Sequence, residues 1–334
     1  MLGAWALLKR QYGRLQCLAS VGLMFRVYEA CVPPTAAYGC EIWGFQQIPQ
    51  QFRILRKDLV TSHLRMLKEI TGVRGSTSTD ILLAELGLKP LQHVWLLRAA
   101  KFWNSLAGKP PGNLYRCIAL DSCRAAVRFG KRNWAWSMFT AIRPTGYELS
   151  IRLDNMDVID IPALRQHIIQ QRDSVWEGLD ICPRTCPSKG SRCCTYARWF
   201  ARPPHKHARS LLDIPVSAAC LKRLLRFRMG CHRLPRDEGS WARPEIPRLE
   251  RVCQLCGVGT LGDERHLIFE CPELLCFREQ WSHLFEGPQT MQAFMWQEDL
   301  IGVAKFVTAC LRKMNPSYEG QTSDQPGVAG RDVI

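Results

Sequence analysis

The stretch "CQLCGVGTLGDERHLIFEC", residues 253–271, places three cysteines and one histidine within nineteen positions. The spacing is C-x2-C-x9-H-x4-C, supplied by Cys253, Cys256, His266 and Cys271. Two intervening residues let both sulfurs of one tight turn face a single ion, and Gly257 supplies a permissive backbone just behind them. His266 and Cys271 then come from a second element. Three thiolates and an imidazole complete a tetrahedron, a donor set that suits Zn2+ and leaves no open position for a catalytic water. The expected cofactor is one structural zinc ion, whose work is folding rather than hydrolysis. The plainer reading, buried cysteines acting as small apolar groups beside a surface histidine, does not account for four ligand side chains gathered behind a turn. Asp263 and Glu264 read as solvent-facing loop acids, with hydrogen bonding or charge support behind the ligands as the alternative, and Cys276 as a core residue of the next helix.

The flanks of this cluster carry charge and amphipathicity. In front, residues 196–252 hold thirteen Lys and Arg against five acids, and residues 181–252 read as the most basic part of the chain. The segment "ACLKRLLRFRMG" spaces Leu221, Leu224 and Leu225 on one side of a helix. Lys222, Arg223, Arg226 and Arg228, with Arg248 and Arg251 beyond them, are the candidate phosphate-neutralising residues. The alternative for such arginines is a solvated helix face. Trp199 and Trp241 are candidate base-stacking residues, with core or surface cover as the commoner role of such tryptophans. Behind the cluster, "PELLCFREQWSHLFEG" predicts one amphipathic helix with Leu274, Phe277, Trp281, Leu284 and Phe285 inward.

The rest of the chain reads as helical. "QFRILRKDLVTSHLRMLKEITG" places Phe52, Leu55, Leu59, Met66, Leu67 and Ile70 near helical spacing, with Gly72 as the stop. An earlier helix, about Leu18 to Glu29, is expected to be separated from "YGCEIWG" by Pro33 and Pro34. Ser78 or Thr79 opens a short helix that ends at Gly87, and Pro90 opens another whose inward side is Leu91, Val94, Trp95, Phe102, Trp103 and Leu106. Pro162 starts a further helix reaching about Leu179, and from about Asn315 the chain is polar and expected to be disordered. The fold class expected is mainly α, in four regions: residues 1–75, 76–180, 181–300 with the zinc-binding core at 253–271, and a tail at 315–334.

Composition narrows the function classes. Forty-five Lys and Arg against thirty Asp and Glu leave a formal charge of +15 over 334 residues, which favours a polyanionic partner, nucleic acid first. No apolar run approaches the roughly 18 to 20 residues of a spanning helix, and the opening lacks a secretory pattern, so an intracellular, membrane-free protein with reduced thiols is expected. A second cysteine group, "CPRTCPSKGSRCC", holds Cys182, Cys186, Cys193 and Cys194, with His205 and His207 as the nearest histidines. Adjacent cysteines make poor joint ligands, and reduced loop cysteines are the expectation, with a second zinc site as the alternative.

The segments "RFRMGCHRLPRDEGSWARPEIPRLERVCQLCG" and "DERHLIFECPELLCFREQW" together resemble the zinc-binding C-terminal segment of non-LTR (LINE-type) retrotransposon reverse transcriptases. "VYEACVPPTAAYGCEIWGF" resembles the thumb-side region of that family, and "LRMLKEITGVRGSTSTDILLAELGLKPL" the connector that follows it. The likeness covers roughly residues 15 to 110 and 175 to 285, and the zinc segment is its most specific part. It implies a thumb-like region at 1–75, a helical connector at 76–180, element RNA or target DNA as ligand, and a nuclear or cytoplasmic setting. The paired aspartates with which that family's polymerase holds two divalent metals have no counterpart, since the chain contains no adjacent Asp pair. Asp154, Asp157 and Asp160 read as solvated acids before a helix. There is also no sign of the family's endonuclease, so the expected function is a nucleic-acid-binding C-terminal fragment that is not itself an enzyme. The competing readings are a zinc-stabilised protein-interaction module and a degenerate element remnant. The rest of a reverse transcriptase and self-association through exposed apolar faces are further expected partners.

Overall fold

The computed structural model of the chain describes residues 20–43, 57–148, 156–174, 190–201 and 211–315, with residues 3, 5–7 and 10 besides. The expected segments around Cys182, Cys186, His205, His207 and Asp154, and the tail beyond Asn315, lie outside the described residues. The fold is mainly α, and among the described residues the only β pairing is an isolated antiparallel bridge between Val252 and Leu261. No helix among them is long and apolar enough to cross a membrane. The described residues divide into two compact units. One holds residues 23–67 and 86–197, the other 20–22, 68–85 and 198–315.

In the first unit the helix Leu91–Ala107 is central. Leu91, Trp95, Ala99, Ala100, Trp103 and Leu106 are buried, as their three- and four-residue spacing demands. Trp103 stacks on Trp134 with ring centroids 6.1 Å apart, and its indole N–H donates to the Asp157 carbonyl at 2.9 Å. Asn104 pins the same segment twice, donating to the Ile159 carbonyl at 2.7 Å and accepting from the Ile159 amide at 2.9 Å. The Asp160 carboxylate then accepts from the Ala163 amide at 3.0 Å and starts the helix Ile161–Ser174. Asn113 and Asn133 cap Leu114–Phe129 and Trp134–Ile142 in the same way.

The helix Val21–Ala36 runs through Pro33 and Pro34, where a break was expected. Both prolines sit in its last turn, so they remove only the amide bonds to residues 29 and 30, on a side that water reaches. The Thr35 hydroxyl donates to the Cys31 carbonyl at 2.8 Å, and the Ala37 amide closes on the Pro33 carbonyl at 2.9 Å.

The second unit is built on two helices, Ala218–Arg228 and Leu300–Met314, packed on each other. The latter was not anticipated, although Asp299 caps it and Val303, Ala304, Phe306, Val307, Cys310 and Leu311 form an apolar stripe. The single helix expected over 272–287 is instead a 3-10 turn Pro272–Leu274, a short helix Leu275–Gln280 and a second turn Ser282–Phe285. The breaks let Phe285 reach Phe306 and Phe294, at centroid distances of 5.3 and 5.2 Å, and Phe269 closes on Phe294 at 5.7 Å. Leu274 and Leu284 are buried as expected, whereas Cys276 faces outward instead of into the core.

Candidate metal centre

The cysteine pair sits in a minimal hairpin. The Cys253 amide donates to the Thr260 carbonyl at 2.9 Å and the Gly262 amide to the Arg251 carbonyl at 2.9 Å. Gly257 at φ +63° and Gly259 at φ +78° take the left-handed conformation that turns the chain between the two arms. The Asp263 carboxylate then accepts from the His266 amide at 3.0 Å and opens a helical turn. That turn is wound as a π-helix over His266–Glu270, closed by the Cys271 amide donating to the His266 carbonyl at 2.8 Å. At 3.6 residues per turn, side chains five apart would diverge by about 140°. The wider winding brings His266 and Cys271 onto one side, facing the hairpin.

The four donor atoms lie within 4.8 Å of one another. Cys253 Sγ is 4.0 Å from Cys271 Sγ, and Cys256 Sγ is 3.5 Å from His266 Nε2. A tetrahedral zinc ion requires edges of about 3.8 Å between sulfurs and about 3.6 Å between sulfur and nitrogen. These four side chains can therefore hold one metal ion. His266 Nδ1 is engaged by Thr260 Oγ1 at 3.1 Å, which leaves Nε2 as the ligand nitrogen. Burial, and then the charge of the neighbouring Cys253 sulfur, push the Cys271 thiol up to about 12. For Cys271 to act as a thiolate ligand, a cation must offset that cost.

Glu264 and Asp263, expected as solvated loop acids, are structural. Glu264 is fully buried, with the His232 ring Nε2 at 2.9 Å from its Oε1 and Arg236 at 3.4 Å from its Oε2. Asp237 approaches the other ring nitrogen of His232 at 3.1 Å. These three buried groups also lie close enough to suggest a metal site. The two carboxylates, however, stand at opposite nitrogens of one ring, so no single ion could meet all three without the ring turning. Through the His232 ring and the Arg236 guanidinium on the Glu264 carboxylate, the arrangement ties the start of the π-turn to the segment following the basic helix. His232 carried no signal in sequence, because Glu264 lies 32 positions away from it.

The six expected phosphate contacts separate into different roles. Arg228 is wholly inside the core, paired with the Glu85 carboxylate, donating to the Phe200 carbonyl at 2.9 Å and lying 4.3 Å from the Trp296 ring centre. It cannot contact a phosphate, because the apolar stripe of its helix continues through it: it stands four residues after Leu224 and seven after Leu221. Arg226 donates to the Gly72 carbonyl, and burial followed by the Arg226 charge holds Lys222 below the ordinary lysine range. Arg223 is half-buried and Arg248 exposed. Arg251 is a brace, donating to the carbonyls of Ile246 at 2.8 Å and Arg236 at 3.1 Å and pairing with Glu245 at 2.6 Å. Trp199 is half-buried, with the Arg236 guanidinium 5.4 Å from its ring centre, while the Trp241 side chain lies outside the described set. Cys193 and Cys194 are buried on the helix Gly190–Trp199, not on a loop.

The brace depends on Gly239, where a Cβ would meet Arg251 Cγ at 2.6 Å. Gly239→Ala should therefore displace the Arg251 stem and cost about 1 to 3 kcal/mol of overpacking. A denaturant midpoint equal to that of the parent would contradict this. Comparison of the chain with protein-family models, curated proteins and solved structures finds no match.

Proposed function

We propose that the chain is a nucleic-acid-binding piece of a non-LTR (LINE-type) retrotransposon reverse transcriptase, in which one structural zinc ion shapes a phosphate-contacting surface. The observation that carries this reading is the Cys253, Cys256, His266 and Cys271 cluster, whose donor spacing matches a closed tetrahedral site. Bound zinc would cross-link the hairpin to the π-turn and perform no chemistry on a ligand. The residues left to meet phosphate are those that the fold does not consume. Residues 243–250 are all exposed, and they carry Arg243 and Arg248 on a loop that Arg251 holds in shape. Their ligand is element RNA or target DNA, and the family resemblance supports that choice.

Arg243→Gln with Arg248→Gln tests the surface. Both side chains are exposed, so the fold should tolerate the change. Binding of a labelled single-stranded RNA should weaken, and the slope of log affinity against log salt should fall by about 1.4, or about 0.7 for each lost phosphate contact. A salt-independent affinity, or a variant that binds as the parent does, would sink the proposal. A second reading, a metal-stabilised protein-docking module, is favoured by Leu249, which is 92% exposed at the tip of the same loop. It predicts that the arginine variant leaves partner binding intact while Leu249→Ser abolishes it.

A further inference from the structure

The first unit carries a second concentration of positive charge. Residues 86–147 hold ten Lys and Arg against one acid, Asp121, a net excess of nine compared with eight over residues 196–252. Part of it converges at the end of the helix Leu114–Phe129. Arg124 and Arg128 stand one turn apart on the face opposite the buried Ala119, Cys123 and Ala126. Gly130, left-handed at φ +59°, ends the helix. The Lys131 amide then donates to the Ala125 carbonyl at 3.1 Å, and the Asn133 side chain to the Ser122 carbonyl at 2.7 Å. These bonds fold Lys131 and Arg132 back against the last turns of the helix. Residues 127–132 are all exposed, including Val127 at 54% and Phe129 at 73%, and Arg132 lies 5.6 Å from the Trp136 ring centre.

Ordinary folding needs do not explain this arrangement. The helix dipole favours a cation in the last turn, which accounts for Arg128. Like charges one turn apart repel, and Arg124 with Arg128 is such a pair, offset by Asp121 at 3.5 Å from Arg124 with its own side chain 75% exposed. Lys131 and Arg132 add charge beyond the helix, and Phe129 gives up burial that an aromatic ring ordinarily takes. Three exposed cations, Arg128, Lys131 and Arg132, adjoin the exposed Phe129 along the chain, a combination by which single-stranded nucleic acid can be held: phosphates on the cations, an unpaired base on the ring. A duplex offers no free base face to Phe129. An anionic membrane would call for an apolar surface wider than two side chains.

We infer that Arg128, Lys131, Arg132 and Phe129 form a binding surface for single-stranded nucleic acid, separate in residues from the loop beside the candidate metal centre. The inference takes its ligand class from the proposed function, and its test keeps the two apart. In the full chain, Arg128→Gln with Lys131→Gln and Arg132→Gln should lower affinity for a labelled oligouridylate at least tenfold at low salt. It should also reduce the salt slope by about 2, at about 0.7 per contact. Phe129→Ala should lower affinity about fivefold or more with the slope unchanged, as loss of base stacking requires. All these side chains are exposed, so the melting temperature should stay at the parent value. An unchanged slope in the triple variant overturns the inference, and so does a triple variant that loses phosphatidylserine vesicles but keeps the oligonucleotide. If the triple variant binds normally while Arg243→Gln with Arg248→Gln binds weakly, this surface is refuted and the proposed function stands. The reverse pattern supports this surface and refutes the role given to the loop.

Discussion

Serine at both Cys253 and Cys256 is expected to abolish metal uptake by the candidate site and to unfold the segment around residues 252–271. Structural zinc in small modules contributes roughly 10 to 16 kcal/mol of apparent binding energy, against a stability of about 5 to 15 kcal/mol for an ordinary domain. Few contacts remain to replace it, since the hairpin has one β bridge and two short arms. Leu267 and Ile268 on the π-turn are buried in the second unit, so the loss should reach the Leu300–Met314 helix as well. Metal analysis should show one zinc per parent chain and none in the variant, and brief trypsin treatment should newly cut at Arg251 and Arg265. A strong chelator acting on the parent should reproduce both results. A variant with the parent's melting curve and protease resistance would show that no structural metal resides there.

Arg228→Ala should be the most damaging single change away from the metal. It leaves the Glu85 carboxylate, itself 3% exposed, without its guanidinium inside the core, and breaking a buried pair in this way costs about 3 to 5 kcal/mol. It also uncovers the Phe200 carbonyl and one face of the Trp296 ring. Replacing both partners by apolar residues, Arg228→Met with Glu85→Leu, should recover most of the loss, because no charge is then stranded. Urea midpoints of the two single variants and the double variant form the cycle that decides this. The double variant should bind nucleic acid as the parent does, a result that a phosphate-contacting Arg228 would not allow.

The Cys253, Cys256, His266 and Cys271 cluster was legible in the sequence because all four lie within one short stretch, and ligand chemistry restricts spacing tightly. The helices that were legible have their own start signals, such as Ser78 or Thr79 and Pro90, or a long apolar stripe, whereas the helix Leu114–Phe129 and its Asn113 cap were not expected. What stayed hidden depended on distant partners. Glu264 resembles a loop acid until His232 and Arg236 are brought against it. Arg228 resembled its neighbours Arg223 and Arg226 by composition. Its position on the stripe of Leu221 and Leu224 was readable, but a buried arginine is plausible only once Glu85 is known to face it. The helix through Pro33 and Pro34 shows the opposite error, since proline was given more power to end a helix than its place in the last turn allows.

The metal cluster and the buried ion pair differ in how far along the chain each must reach. Cys253 and Cys271 are 18 positions apart, whereas Glu85 and Arg228 are 143 apart. Closing the longer loop costs about 2 kcal/mol more in chain entropy, from the logarithm of the ratio of lengths. His232, Asp237, Gly239 and Arg251, which support the metal ligands, all fall within a few dozen residues of them as well. The candidate metal-binding part is thus a short-range structure that a growing chain can assemble from neighbours, while the Arg228 charge on the basic helix in front of it is matched only when Glu85 arrives from far upstream.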